Sequence, residues 1–370
     1  MHRVAATPTF SETYAARLTQ TEAGIAAFCD QLPAEESDEI DEFTRAALDG
    51  YTALLRGPGK RIRGVLAVTG HEWGNDMYPS ETDVSDGDAA VASGAAGIVE
   101  ALHAYLLGFD DMADRSSRRR GLPTVHAHMT TFLQERGVGD DAPELARSYT
   151  EVAGLILQHE AQATLLSLPT APDRIQRAAY ILNKGLARTG YGQGRDMLPT
   201  AHSSGVRHAL QTATDKTAHY TFTLPFQIGA ALAGAPLPAL HDIEPYAFFS
   251  GVAFQVRDDI IGIFGDPTVT GKDVESDIKE GKTTILVALA REKANERGQR
   301  ILDAALGNTA LGPADVQAFL DVIRETALEL ANALVDRSIA QAIDALPSHW
   351  PAQHIQFLHD LAISGAQRQK

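Results

Sequence analysis

Several features of secreted, membrane-spanning and nucleic-acid-binding proteins are missing from this sequence. Its 370 residues include one cysteine, Cys29, so an intramolecular disulfide is excluded and a reducing compartment such as the cytoplasm is expected. No run of eighteen apolar residues occurs, and residues 1–12 lack the apolar core of a secretory signal. We therefore expect neither a membrane span nor export. The net charge of −16 argues against nucleic-acid binding.

Helical spacing of apolar residues fills nearly the whole sequence, whereas continuous β-type alternation is absent. From Val91 the apolar positions recur at intervals of three and four, through Ala95, Ile98 and Leu102. The same periodicity occurs over residues 11–31, 39–55, 147–168, 174–191, 207–233, 239–264, 283–292 and 313–345. No stretch has the length or composition of an interdomain linker. The sequence therefore predicts a single all-α domain, residues 1–370, of about ten or more helices.

Two aspartate clusters follow apolar helical stretches, 148 positions apart. Asp110, Asp111 and Asp114 form the first cluster, and Asp258 and Asp259 form the second. Carboxylates grouped at the end of a buried helix repel one another, and Mg²⁺ typically bridges a few carboxylates to substrate phosphates. One cluster alone could equally be a solvated helix end. Two clusters in one chain favour a shared cation.

Basic residues accompany both clusters. Arg119 and Arg120 follow the first, and each guanidinium can bind a phosphate through two N–H groups. Lys60 and Arg63 lie three apart where residues 57–59 open a helix, so both can point at one anion near its N-terminus. Two lysines that follow glycines beyond the second cluster also suit phosphate, although each alone could be a solvated surface lysine: Lys272 and Lys282. Acids and arginines together favour a metal–diphosphate site.

In combination, these motifs resemble those of the trans-isoprenyl (polyprenyl) diphosphate synthase family, and in particular its short-chain geranylgeranyl diphosphate synthases. Five ordered segments carry the resemblance: Gly57 to Arg63 (GGKRxR), Asp110 to Gly121 (DDxxDxxxxRRG), Gly192 to Asp196 (GQxxD), Lys216-Thr217 (KT) and Phe254 to Lys272 (FQxxDD…GD…GK). The third and fourth, taken alone, would be interpreted as surface or packing residues. The resemblance implies a large helical domain of the isoprenoid synthase type with a central apolar cavity.

Three positions depart from the family pattern. Pro58 replaces the second glycine of the basic loop, and Gly64 replaces its usual proline. Gly262 replaces the last aspartate of the second motif, which leaves open whether Asp259 or Asp266 contacts metal.

The resemblance also implies a role for individual residues. The diphosphate of isopentenyl diphosphate would be bound by Lys60, Arg63, His103 and Arg120. The allylic diphosphate would be bound by Arg119, Lys216, Thr217, Gln255 and Lys272. Up to three Mg²⁺ ions would be bound by Asp110, Asp114 and Asp258. Catalysis would then depend on Asp110, Asp114, Arg119, Lys216, Asp258 and Lys272.

The implied reaction is a condensation in which the allylic substrate loses diphosphate and the resulting carbocation adds to the double bond of isopentenyl diphosphate. In the family, a bulky aromatic residue five positions before the first motif closes the cavity floor. Tyr105 occupies that position, Leu106 follows it, and Leu102 lies one turn deeper. This pattern resembles that for geranylgeranyl diphosphate. Farnesyl diphosphate, a longer product, and a purely structural Tyr105 remain alternatives.

Two other classes of function remain open. A class I terpene cyclase would need a different second metal motif in place of residues 254–262. A non-catalytic partner subunit of a heteromeric synthase would usually lack acidic or arginine residues that are intact here. The resemblance also implies a two-fold homodimer.

Overall fold

The helical periodicity of the sequence becomes helix along almost all of the chain. The structure, a computed structural model, describes residues 8–33, 40–79, 86–119, 121–198, 205–265, 278–279 and 281–366. The α-helices run, in chain order, over Phe10–Cys29 (α1), Glu42–Arg56 (α2), Ile62–Met77 (α3), Asp86–Ala113 (α4), Val125–Glu135 (α5), Ala142–Leu166 (α6), Pro172–Asp196 (α7), Val206–Ala213 (α8), Leu224–Leu232 (α9), Glu244–Phe264 (α10), Ile285–Lys293 (α11), Glu296–Ala305 (α12), Pro313–Thr326 (α13), Leu328–Asp344 (α14) and Ala352–Ala366 (α15). A π-helix, Thr214–Thr223, separates α8 from α9, and a 3₁₀ helix, Leu237–His241, precedes α10. The all-α prediction is confirmed.

Local details differ from the sequence prediction at three places. The stretch 313–345 is two helices, because the backbone at Ala327 (φ −123°, ψ −31°) leaves the helical region. The stretch 207–233 contains the π-helix. Arg118–Arg119 (β1) and Leu122–Pro123 (β2) form a short antiparallel hairpin, whose turn uses Gly121 at φ 80°.

Two hydrophobic clusters form the core. The larger is built mainly by α1–α7, α9 and α15, with Tyr51, Trp73 and Phe226 fully buried. The smaller is built mainly by the second half of α10 with α8 and α11–α14. Tyr246 of α10 packs in the first cluster and Val256 of α10 packs in the second. Since each fully buried large apolar side chain stabilises a fold by roughly 1.5–3 kcal/mol, α10 links the two clusters strongly.

Helix α4 carries the first aspartate cluster through the centre of the larger core. By length and composition alone, Gly87–Ala113 could cross a membrane, but 61% of its most apolar window is buried inside the protein. It packs against α1, α3 and α6, as a core helix does. It ends at Ala113, beside the aspartates.

Helix α10 carries the second aspartate cluster within the helix, in agreement with the periodicity over residues 239–264. The helix continues to Phe264, more than one turn beyond Asp259. Asp258 and Asp259 therefore have fixed helical backbone on both sides.

Candidate active site

Asp110 lies in the last turn of α4 and faces polar groups from three other segments. Its carboxylate accepts hydrogen bonds from Lys216 Nζ at 2.7 Å and Gln193 Nε2 at 3.3 Å, and Arg119 Nη2 lies 3.7 Å away. Burial alone would raise the pKa of this carboxyl, but Lys216, Lys282 and Arg119 outweigh burial and lower the pKa to about 2. Asp110 is therefore ionised at neutral pH and offers hard oxygen ligands.

Asp111 points into the protein and pairs with one of these groups, Arg119. It is 1% exposed and accepts hydrogen bonds from Arg119, with Nε at 2.9 and 3.0 Å and Nη2 at 2.7 Å. A buried carboxylate is costly unless it is paired, so this two-pronged contact fixes the guanidinium. The β1–β2 hairpin brings Arg119 back to the end of α4. Asp111 thus positions Arg119, a pairing that the sequence did not predict.

Asp114 follows α4 directly and is bonded to Lys282 Nζ. The lysine lies just before α11, 168 positions away in the sequence. Thr284 caps α11 by accepting a hydrogen bond from the Val287 N–H at 3.2 Å. The sequence indicated Lys282 only as a candidate phosphate lysine, and its pairing with the first cluster is a finding of the structure.

The two aspartates of α10 have different surroundings. Asp259 is 7% exposed and accepts hydrogen bonds from Gln255 Nε2 at 2.9 Å and from the Ile285 N–H at 3.1 Å. It therefore ties α10 to the first turn of α11. Asp258 is half-buried. Because it precedes Asp259 by one helical position, its side chain is rotated from that of Asp259 by roughly 100° about the helix axis. Of the two, Asp258 is the better candidate for a metal ligand.

The π-helix places Lys216 against Asp110. Its Nζ also donates to Asp196 of α7 at 2.5 Å. Helix α7 can approach so closely because Gly192 has no side chain, since a Cβ there would lie 2.4 Å from the Lys216 backbone nitrogen. Thr217, the next residue, is half-buried. Short π-helical segments often occur at functional sites, and this one presents a lysine to a carboxylate.

Asp215 holds the same segment from the other side. It is 6% exposed and accepts hydrogen bonds from Gln211 Nε2 and Arg188 Nε, both at 2.7 Å, and from Arg195. Burial would raise the pKa of Asp215, but these partners lower it. The backbone beside Lys216 is therefore held by α7 and α8.

A second cationic group lies where α3 meets α4. Arg63 Nη1 lies 3.1 Å from His103 Nε2, and Nη2 donates to Thr221 Oγ1 at 2.7 Å. The same guanidinium lies 4.6 Å from the centre of the Tyr220 ring. Lys60, just before α3, is exposed. His103 is two turns before Asp110 on α4, or roughly 10 Å along the axis.

The residues predicted to set product length lie deeper on α4. Leu102 is 1% exposed, and Tyr105 and Leu106 are half-buried. The Tyr105 ring lies against α6 at Gly154, where an added Cβ would be 2.9 Å from Tyr105 Cδ2.

The structure thus brings together residues that the sequence kept apart, and it adds others. Asp110, Arg119 and Lys216 meet, as do Arg63 and His103. Three residues near the aspartates were not assigned to the site from the sequence: Gln193, Asp196 and Lys282. For the first two, the GQxxD segment was the available signal. Three predicted residues lie outside the described residues: Arg120, Asp266 and Lys272.

The carboxylates of the first cluster suit magnesium. Asp110 and Asp114 are each paired with a lysine Nζ, and their carboxylate oxygens are hard ligands of the kind that Mg²⁺ prefers. Within the described ranges, no three His, Cys, Asp or Glu side chains are grouped closely enough to hold one ion. Mg²⁺ needs only one or two protein carboxylates, because water and substrate phosphates complete its octahedron.

A cavity of about 330 Å³ lies beside these carboxylates, between α2 and the β1–β2 hairpin. Asp111 and Arg119 form part of its wall, and Leu54, Leu122 and Val125 contribute apolar surface. Its described lining includes neither Asp110 nor Lys216. It is therefore a side pocket next to the charged groups.

Comparison with known proteins agrees with the motifs and the fold. The family model described as polyprenyl synthetase matches residues 47–323. A geranylgeranyl diphosphate synthase of Saccharolobus solfataricus is 31% identical over 79% of this chain and 81% of its own length. A farnesyl diphosphate synthase of Escherichia coli is 27% identical over 85% of this chain and 98% of its own. The crystal structure of geranylgeranyl pyrophosphate synthase from Corynebacterium glutamicum, complexed with isoprenyl diphosphate and magnesium, superposes with a TM-score of 0.81 at 27% identity, covering 97% of this chain and 98% of that one. The chain belongs to the polyprenyl synthetase family, the trans-isoprenyl diphosphate synthases.

Proposed function

We propose that this protein is a Mg²⁺-dependent trans-prenyltransferase that condenses isopentenyl diphosphate with an allylic diphosphate. The observation that carries the proposal is the presence of two separate cationic groups along α4. Three cations from different segments converge on the aspartates at its end: Arg119, Lys216 and Lys282. A separate pair, Arg63 with His103, lies two turns earlier. Each group matches one of the two diphosphates.

The cations near the aspartates would bind the allylic diphosphate. Magnesium, when bound, stabilises the negative charge that develops on the departing diphosphate. Lys216, Lys282 and Arg119 orient this leaving group and add fixed positive charge around it. Arg63, His103 and Lys60 hold isopentenyl diphosphate so that its double bond lies near the allylic carbon. The apolar residues of α4 that precede the aspartates keep water from the carbocation. The departing diphosphate accepts the proton that is lost when the new double bond forms.

Up to three Mg²⁺ ions would be held by Asp110, Asp114 and Asp258. The low pKa of Asp110 supports its assignment. Asp259 is not included, because hydrogen bonds from Gln255 and the Ile285 N–H hold it inside the protein.

Geranylgeranyl diphosphate is the product that the relatives support best, since the synthases of Saccharolobus solfataricus and Sulfolobus acidocaldarius carry that name. Tyr105, half-buried against Gly154 of α6 and five positions before Asp110, is the proposed floor of the cavity for this product. Farnesyl diphosphate is the second candidate, because the farnesyl diphosphate synthase of Escherichia coli matches along 98% of its length.

A homodimer through α6 is the proposed assembly. The outer face of α6 exposes an apolar stripe at intervals of seven, three and eleven residues: Leu145, Val152, Leu155 and Leu166. These intervals keep one side of a helix, and an apolar face of this length is typical of an interface. A two-fold axis would pair the stripe with its own copy.

Residues 1–370 would form one domain, because α10 contributes to both hydrophobic clusters. A single unfolding transition in urea is expected, and a second transition independent of protein concentration would contradict it. We assign the protein to the cytoplasm, in keeping with its single buried cysteine.

A product assay tests the proposed function. The purified protein is incubated with isopentenyl diphosphate, Mg²⁺ and, separately, dimethylallyl, geranyl or farnesyl diphosphate, and products are identified by mass spectrometry. All three starters should give the twenty-carbon diphosphate, and EDTA should abolish it. Cyclic hydrocarbons would indicate a terpene cyclase, and no product with any starter would indicate a non-catalytic subunit.

A further inference from the structure

Arg61 has an unusual backbone for a non-glycine residue. It is the residue before α3, and its φ of 51° and ψ of 34° lie in the left-handed region. An L-residue with a long side chain rarely adopts this conformation unless its surroundings impose it. Arg61 also stands between Lys60 and Ile62, in the loop that carries the isopentenyl-binding residues of the proposed function.

The side chain of Arg61 is buried and joined to three other helices. Its side chain is 5% exposed. Nε donates to Glu22 of α1 at 2.9 Å, and Nη1 lies 3.7 Å from Glu100 of α4. Nη2 donates to the backbone carbonyls of Leu55 and Gly57 at the end of α2, the latter at 2.6 Å. Those carbonyls have no partner within the helix, so a guanidinium there satisfies them and complements the helix dipole.

Glu100 extends this contact to α3 itself. It is 3% exposed, and its Oε1 accepts a hydrogen bond from the Gly64 N–H at 2.9 Å. The first turn of α3, which holds Arg63, is thereby fixed to α4, which holds His103. The Tyr14 hydroxyl donates to the carbonyl of Lys60, so α1 holds the other side of the loop.

We infer that Arg61 is a positioning residue for isopentenyl diphosphate. Its guanidinium joins the end of α2, α1 and α4, and so fixes the loop that presents Lys60 and the first turn of α3 that presents Arg63. It does not itself face substrate, because its three nitrogens are engaged inside the protein. This inference rests on the proposed function, which supplies the ligand.

Two substitutions distinguish the contribution of the Arg61 guanidinium from that of its left-handed backbone. Arg61→Lys keeps the charge but cannot reach all these acceptors with one Nζ. Arg61→Gly removes the side chain and relieves the left-handed strain. Glu22→Gln removes one counter-charge from the buried guanidinium, while Glu100 stays beside it and the amide can still accept a hydrogen bond. Arg56→Lys is the matched control, since Arg56 also lies at the end of α2 but pairs with Asp30 at the surface.

The experiment measures KM for each substrate, and also the calorimetric binding of isopentenyl diphosphate alone. Arg61→Lys and Arg61→Gly should raise the isopentenyl KM and Kd by about tenfold or more, with the allylic KM within about twofold. Glu22→Gln should raise the isopentenyl KM by a few fold, and Arg56→Lys should change neither KM. Circular dichroism verifies that each variant is folded.

An unchanged isopentenyl Kd in Arg61→Gly would overturn the inference, because the backbone would then hold the binding loop in place without the guanidinium. Equal loss for both substrates would also overturn it, since that would indicate general destabilisation. If the wild-type protein binds isopentenyl diphosphate without condensing it, the proposed function fails, while the Kd series still tests Arg61.

Discussion

At the scale of single residues, adjacent aspartates separate into those that face the site and those that hold it in place. Asp110 faces the cations, whereas Asp111 is buried against Arg119. Asp259 is likewise buried, against the start of α11. In each cluster, the proposed metal ligand therefore lies next to a buried carboxylate that orders the surrounding segment.

Tyr105 provides the residue-scale prediction for product length. Tyr105→Ala should lengthen the products by at least one five-carbon unit, because removal of the ring lowers the proposed cavity floor beside Gly154. The loss of a half-buried ring should cost about 2 kcal/mol of stability, which thermal unfolding would detect. Products are measured by mass spectrometry.

Tyr180→Ala is the control, because that tyrosine is exposed on α7. An active Tyr105→Ala enzyme with an unchanged product would show that another residue sets the length.

At the scale of elements, the π-helix and α7 together present Lys216 to the aspartates. The contact depends on Gly192, whose missing side chain leaves room for the π-helix backbone. The neighbouring Asp215 ties the segment to α7 through Arg188 and Arg195. The position of Lys216 is therefore a property of two packed helices.

Gly192→Ala should push these two elements apart and move Lys216 away from the allylic diphosphate. We expect the allylic KM to rise by about tenfold, with an overpacking cost of roughly 1–3 kcal/mol in stability. The isopentenyl KM should change little. Steady-state kinetics with each substrate varied in turn measures both.

Gly194→Ala is the control, since a Cβ there meets no atom within 4 Å. If Gly192→Ala and Gly194→Ala have the same kinetics as the wild type, the close contact does not control Lys216.

His219, in the π-helix, should make the stability of the folded state depend on pH. Burial, assisted by Arg188, lowers the pKa of His219 from 6.5 to about 4, although Glu244 and Asp215 act in the opposite direction. The folded state therefore favours the neutral ring. As the pH falls from 6.5 toward 4, the unfolded chain binds a proton that the folded chain does not, and the folded state loses stability.

Urea unfolding at pH 7.5 and pH 5 measures this loss. His219→Gln should have a smaller difference between the free energies of unfolding at pH 7.5 and pH 5 than the wild type has. An equal difference in both proteins would show that other groups cause the pH dependence.

Much of this organisation follows from local sequence, but the partners of the charged groups do not. Three- and four-residue spacing predicts the helices, and the first motif indicates the carboxylates, because both depend on neighbouring positions. By contrast, Lys282 meets Asp114 across 168 positions. The burial of Asp111 depends on a hairpin that returns Arg119, and no local pattern marks the π-helix.

At the scale of the whole molecule, the exposed stripe on α6 predicts a dimer. Leu155→Glu should convert the protein to monomers, because a buried carboxylate without a partner is costly at an apolar interface. Light scattering at micromolar concentration measures the mass. Leu330→Glu, a substitution of an exposed leucine on α14, should leave the dimer intact. A wild-type monomer with full activity would contradict the proposal.

The central claim is that carboxylates from α4 and α10 act together on a diphosphate. The most direct test compares condensation rates of Asp110→Ala, Asp258→Ala and the wild type with isopentenyl and allylic diphosphates in Mg²⁺. Asp321→Ala, at an exposed site on α13, serves as control, and circular dichroism verifies folding. We predict that each active-site variant loses activity by at least about a thousandfold, while the control retains it. A well-folded Asp110→Ala or Asp258→Ala protein with a near-normal rate would contradict the account.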